Sequence, residues 1–142
     1  MGRPLVHPSA HFVQSLLARI EKLWAEAGIE SEYLGALRTA VTPASIGESA
    51  SHVAPTHLSR LTLPGLCCKA AGGAWQQAEV VAAAWSLLYL AAHLLDKTAD
   101  GDMESGSAPY LDQGSAVNVA IGLMASAGLA LSALGEAGIS PE

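Results

Sequence analysis

Two stretches of this chain carry no formal charge: VVAAAWSLLYLAAHLL at 80–95 and GSAVNVAIGLMASAGLALSALG at 114–135. Surface that apolar must be removed from water, which leaves two architectures open. One is the pair of central helices in a soluble bundle, buried nearly all round. The other is a membrane hairpin. The first stretch is short for a bilayer span, which takes about 20 residues, and it carries His93. The second is broken up by Ser115, Asn118, Ser126 and Ser132. The bundle is therefore the expected fold and the hairpin its alternative.

Composition agrees with a bundle. The 142 residues are 51% apolar and only 14% charged, and the aromatic content is 5%. Alanine and leucine favour helix over strand, and extended β-branched runs are scarce. The expectation is an all-α antiparallel helical bundle, one domain over 1–142. SAHFVQSLLARIEKLWAEA (9–27) repeats Phe12, Leu16, Leu17, Ile20 and Leu23 or Trp24 at helical spacing, with Ser9 as cap and Gly28 as stop. SEYLGALRTAV (31–41) predicts a shorter helix capped by Ser31. Two prolines, a glycine and several serines mark a loop at 42–56. Thr56 caps a helix over 57–71, which Pro64-Gly65 should kink or interrupt. A long helix is read over 74–100 and an acidic loop over 96–113, the two overlapping at the aspartates. Ser115 opens the final helix, which runs to about Leu134.

The net charge of −6 rests on seven scattered Lys and Arg, so no basic patch exists to neutralise nucleic-acid phosphates. Cys67 and Cys68 are adjacent, a spacing too strained for a disulfide, and they read as small buried hydrophobes in a cytoplasmic, reducing setting. MGRPLVHPSAHF has no apolar core of signal-peptide length.

The chemistry-bearing segment is HLLDKTADGD, 93–102, which places three aspartates at the end of the longest helix. Asp96 and Asp100, four apart, share a helix face and can jointly offer hard oxygen ligands to Mg2+. A helix carboxyl end is already negative, so aspartates there call for a cation. Equally, the helix could end near 96 and leave an ordinary solvated turn. His93 could join Asp96 and Asp100 in a metal site or be a hydrogen-bonded, partly buried histidine. Trp85 and Tyr89, at i and i+4, could wall an apolar pocket or be plain core. No triad partners surround Ser59, and no phosphate-loop glycine spacing occurs.

From AAGGAWQQAEVVAAAWSLLYLAAHLLDKTADGDMESGSAP the chain resembles the N-terminal half of the trans-isoprenyl diphosphate synthases (polyprenyl synthetases), with the class I terpenoid-synthase fold. Asp96 and Asp100 fall on the outer aspartates of that family's D-D-x-x-D motif. SRLTLPGLCCKAAGG is similar to the preceding segment, with Arg60 on the lysine of G-G-K-R-x-R-P, and GSAVNVAIG to the next helix. The resemblance covers about residues 57–125. Lys97 stands where the family has its second aspartate, Ser105 and Gly106 where it has two diphosphate-gripping arginines, and Leu61 and Leu63 where it has two more.

The resemblance implies a truncated, oligomeric member of isoprenoid diphosphate metabolism. Mg2+ would be held by Asp96 and Asp100, with Asp102 outside them. A prenyl diphosphate would contact Arg60, Trp85, Tyr89 and His93. Prenyltransferase-like ionisation of the substrate is expected only from an assembly, since the second aspartate-rich motif of the family lies beyond residue 142. That assembly would be a homodimer or a heteromer with a longer synthase chain. A non-catalytic regulatory or lipid-binding subunit is the competing reading.

Overall fold

The computed structural model of the chain describes residues 8–41, 55–101 and 111–134, and within them the side chains other than those of 8–11, 13 and 55–61. Among the described residues there are five α-helices: α1 (Pro8–Glu26), α2 (Ser31–Ala40), α3 (Pro55–Ala70), α4 (Glu79–Asp100) and α5 (Gln113–Ser132). A 3-10 turn, Trp75–Ala78, leads into α4. No strand occurs among the described residues. Of the loop expected at 42–56 only Pro55 and Thr56 are described, and they belong to α3, so Thr56 is not its cap. Of the acidic loop expected at 96–113, residues 102–110 lie outside the described residues.

α4 and α5 form the largest interface and run antiparallel. At one end the Gln113 side chain donates to the Thr98 carbonyl at 3.4 Å. At the other, Ala83 and Ala130 line the same small cavity. Alanine explains their closeness: Ala83, Ala91, Ala116, Ala120, Ala127 and Ala130 are all buried, beside Leu87, Leu90, Leu94, Val119 and Leu123. Side chains this short let helix axes approach, and each removes some water-exposed backbone at little entropic cost.

α1 lays its stripe of Phe12, Leu16, Ile20 and Trp24 on this pair, all at four-residue spacing and all buried. The indole N–H of Trp24 donates to the buried Ser126 hydroxyl at 2.9 Å, and that hydroxyl donates to the Gly122 carbonyl at 2.7 Å. Both polar groups are thereby satisfied inside the core. α2 returns along α5, where the Tyr33 hydroxyl donates to the Asn118 carbonyl at 2.7 Å. A forked pair, Arg38 to Glu21, ties α2 to α1 and raises the arginine's affinity for its proton.

Several expected features are placed differently. Ser31 lies inside the first turn of α2, with Glu30 at the cap position and no side-chain cap bond. α5 begins at Gln113, because Asp112 is the cap: its carboxylate accepts the Ser115 N–H at 2.7 Å. That bond holds the Asp112 carboxyl below its ordinary range. α3 runs through Pro64 as one helix, forgoing one N–H bond and accommodating the proline ring against its preceding turn. Gly65 beside it is filled from outside. A Cβ there would strike the Trp75 ring, which sits 5.0 Å from the Phe12 ring, centre to centre. The neighbouring cysteines are not core. Cys67 is exposed and Cys68 half-buried, because the last turns of α3 lie at the rim.

Candidate functional site

α4 is 22 residues long, about 33 Å at the α-helical rise, and the fold covers it unevenly. Its inner side is closed by α5, α1 and α3. Its outer side presents Val81, Trp85, Leu88, Ala92, Asp96 and Asp100, all exposed. Val81, Trp85 and Leu88 are each about two-fifths exposed, a large fraction for such apolar side chains. From Trp85 to Asp96 is eleven residues, about 16 Å along the axis. The outer side is thus a strip, apolar over most of its length and anionic at one end.

Tyr89 and His93 flank the strip, half-buried, with parallel rings 6.3 Å apart between centres. That is the geometry of an offset stack one helical turn apart. Trp85 is not core, and its exposure is the reason it can meet anything outside the chain.

The acidic end is set by where α4 stops. The helix continues to Asp100, so residues 96–100 are not part of a loop. It ends at Gly101, whose φ of 75° is a left-handed cap that suits glycine. Asp96 and Asp100 therefore sit one turn apart on the same helix. Among the described residues neither forms an ion pair, and Lys97 between them is half-buried. The partial negative charge of the helix end adds to theirs. Together these charges favour a cation.

His93, Asp96 and Asp100 do not converge into a three-ligand set, and no other such group occurs among the described residues. A site made wholly of protein ligands does not fit. Two carboxylates do fit Mg2+ as it binds with phosphates, since that ion keeps several waters and takes one or two carboxylates. Asp102 lies outside the described residues. Arg60 lies on α3, the helix packed beside α4, with its side chain likewise outside them.

A second feature was not legible in the sequence. A cavity of about 170 Å³ opens between α1, α4 and α5, lined by Arg19, Lys22, Leu23, Glu26, Ala83, Ala130 and Ala133. It lies at the opposite end of α4 from the aspartates. Its charges are paired: Lys22 meets Glu26 within the lining at 3.6 Å, and Arg19 meets Glu79 outside it at 3.8 Å. Ser15 also donates to Glu79, at 2.7 Å. The Arg19–Lys22–Glu26 spacing on α1 was the available signal, but it reads as a solvated face.

Comparison with known protein families, curated proteins and solved structures returns no match.

Proposed function

We propose that this chain is a polyprenyl synthetase-like helical subunit that binds a prenyl diphosphate along the outer strip of α4. One observation carries the reading: a continuous exposed strip passes from Val81, Trp85, Leu88 and Ala92 to Asp96 and Asp100. Its apolar length suits an isoprenoid chain of two or three units. Its acidic end suits a diphosphate bridged by Mg2+, which would supply charge neutralisation and Lewis acidity at the leaving group.

The chain's own residues bind and orient. Asp96 and Asp100 fix the metal-bearing end, and Trp85 presents an aromatic face to the hydrocarbon. They do not exclude water, because the strip is open on one side. A carbocation formed there would be quenched by solvent, so transfer chemistry needs a second surface over the strip. The subunit alone is a binder.

Titration calorimetry with geranyl and farnesyl diphosphates, with and without Mg2+, tests this. Binding should require Mg2+ and weaken at least tenfold in Asp96→Ala and in Asp100→Ala. Trp85→Ala should weaken farnesyl more than geranyl diphosphate. Binding indifferent to Mg2+ and to both aspartates would refute the reading.

A second reading, a non-catalytic interaction or lipid-binding subunit, is favoured by α5. Ile121, Met124, Leu129 and Leu131 are 43–57% exposed there. Trp75–Asp100 and Gln113–Ser132 are also long and apolar enough to cross a membrane, although 56% and 39% of their apolar windows are buried inside the fold. Flotation with neutral lipid vesicles, independent of Mg2+ and of Asp96, would favour it.

A further inference from the structure

The outer positions of α4 and its lead-in turn form a palindrome. Gln77, Val81, Trp85, Leu88, Ala92 and Asp96 are exposed, at spacings of four, four, three, four and four. The pattern is symmetric about a point between Trp85 and Leu88. Reversing the helix lays it on itself, polar ends on polar ends and apolar centre on apolar centre.

We infer that this face is closed by a second copy of the chain, with the two α4 helices antiparallel across a two-fold axis. A two-fold contact requires a self-complementary patch, which is what the palindrome provides. In this register Trp85 of each copy packs on the other copy's Leu88 beside the axis, and Val81 packs on Ala92. The 4-3-4 spacing of the four central residues is that of a coiled-coil seam.

The ends match in hydrogen bonding as well as in position. The Gln77 side-chain oxygen already accepts the Ala74 N–H at 2.7 Å, which leaves its amide NH2 to donate. Asp96 opposite it is a pure acceptor. The negative carboxyl end of each α4, with its two aspartates, meets the amino end of the other, where Glu79 is offset by Arg19 at 3.8 Å and the helix dipole is positive.

Area sets a further condition. A standard interface takes about 800 Å² from each partner, more than a four-residue seam provides. The neighbouring helix must contribute. Leu63 and Leu66, 44% and 48% exposed on α3, are the apolar side chains available there. The inference goes beyond prenyl diphosphate binding and concerns the unliganded chain: both use Val81, Trp85, Leu88, Ala92 and Asp96, so a ligand on the strip displaces the second copy.

Sedimentation equilibrium of the full chain, without ligand or detergent, should give twice its 14.5 kDa mass. Leu88→Asp should halve that mass while keeping the helical circular dichroism, and Ile121→Asp on α5 should leave the dimer intact. Register is read by disulfide trapping in a Cys67→Ser, Cys68→Ser background. Val81→Cys mixed with Ala92→Cys should cross-link on oxidation, and neither variant should do so alone. A 14.5 kDa species in the parent chain, a dimer indifferent to Leu88→Asp, or a chain soluble only in detergent would each overturn the inference. Because no prenyl diphosphate is present, these failures are separate from a failure of ligand binding.

Discussion

The inner and outer faces of the α4–α5 hairpin are made of nearly the same residues and meet opposite surroundings. Leu87 and Leu88 are neighbours, yet Leu87 is fully buried and Leu88 is 42% exposed. On α5, Leu123 is fully buried and Met124 is 49% exposed. The inner face is held by alanine-to-leucine packing and by one buried polar relay, Trp24 to Ser126 to Gly122. On the outer face Leu88 and Met124 stand largely in solvent. Hydrophobicity alone therefore does not identify a core. A helix that is apolar all round takes its inside from its neighbours.

The sharpest way to break that contrast is truncation on both sides of one helix. Leu123→Ala should cost about 3 kcal/mol of unfolding free energy by opening a cavity. Met124→Ala should cost no more than about 0.5 kcal/mol, as expected of a surface position. Urea denaturation of the two variants measures the difference, and equal losses would mean that the outer face of α5 is covered. A smaller effect is expected from Ser126→Ala, which strands the Trp24 N–H in the core at a cost of about 1–3 kcal/mol. Trp24→Phe on that background should recover part of the loss, because the stranded donor is gone.

The smallest effect belongs to the cap of α5. Asp112 is fully exposed, and the Ser115 N–H holds its carboxyl below the ordinary value of 3.8. The folded chain thus binds that proton less readily than the unfolded chain. Its contribution to stability is present above about pH 3.8 and is lost as pH falls through the lower folded value. Asp112→Ala should lower the melting temperature slightly at neutral pH and not at all well below that range. A gap that widened with acid would contradict the assignment of the cap.

Helix existence was legible wherever charge and apolar residues alternate. In α1, Arg19, Glu21, Lys22 and Glu26 outline the stripe from Phe12 to Trp24, and the expected 9–27 becomes Pro8–Glu26. α2 likewise differs by one residue. In α4 and α5 the alternation is missing, so Trp85 could be placed on the helix but not inside or outside. The caps failed for a related reason. Ser9, Ser31 and Thr56 are good capping residues by type, but each lies inside the first turn of its helix, because the chain enters the helix earlier than the serine or threonine marks. Asp96 and Asp100 were legible as an i, i+4 pair. Their solvent exposure followed only once α4 was seen to run on to Gly101.

The three tryptophans occupy three different settings, and this makes the fold self-reporting. Trp24 is sealed with its N–H bonded, Trp75 is half-buried against Phe12, and Trp85 stands two-fifths in solvent. Acrylamide quenching of the native fluorescence should therefore be dominated by residue 85. Whatever comes to lie over the long helix, whether hydrocarbon tail or sister chain, should dim the quenching and shift the emission to the blue, with no label attached.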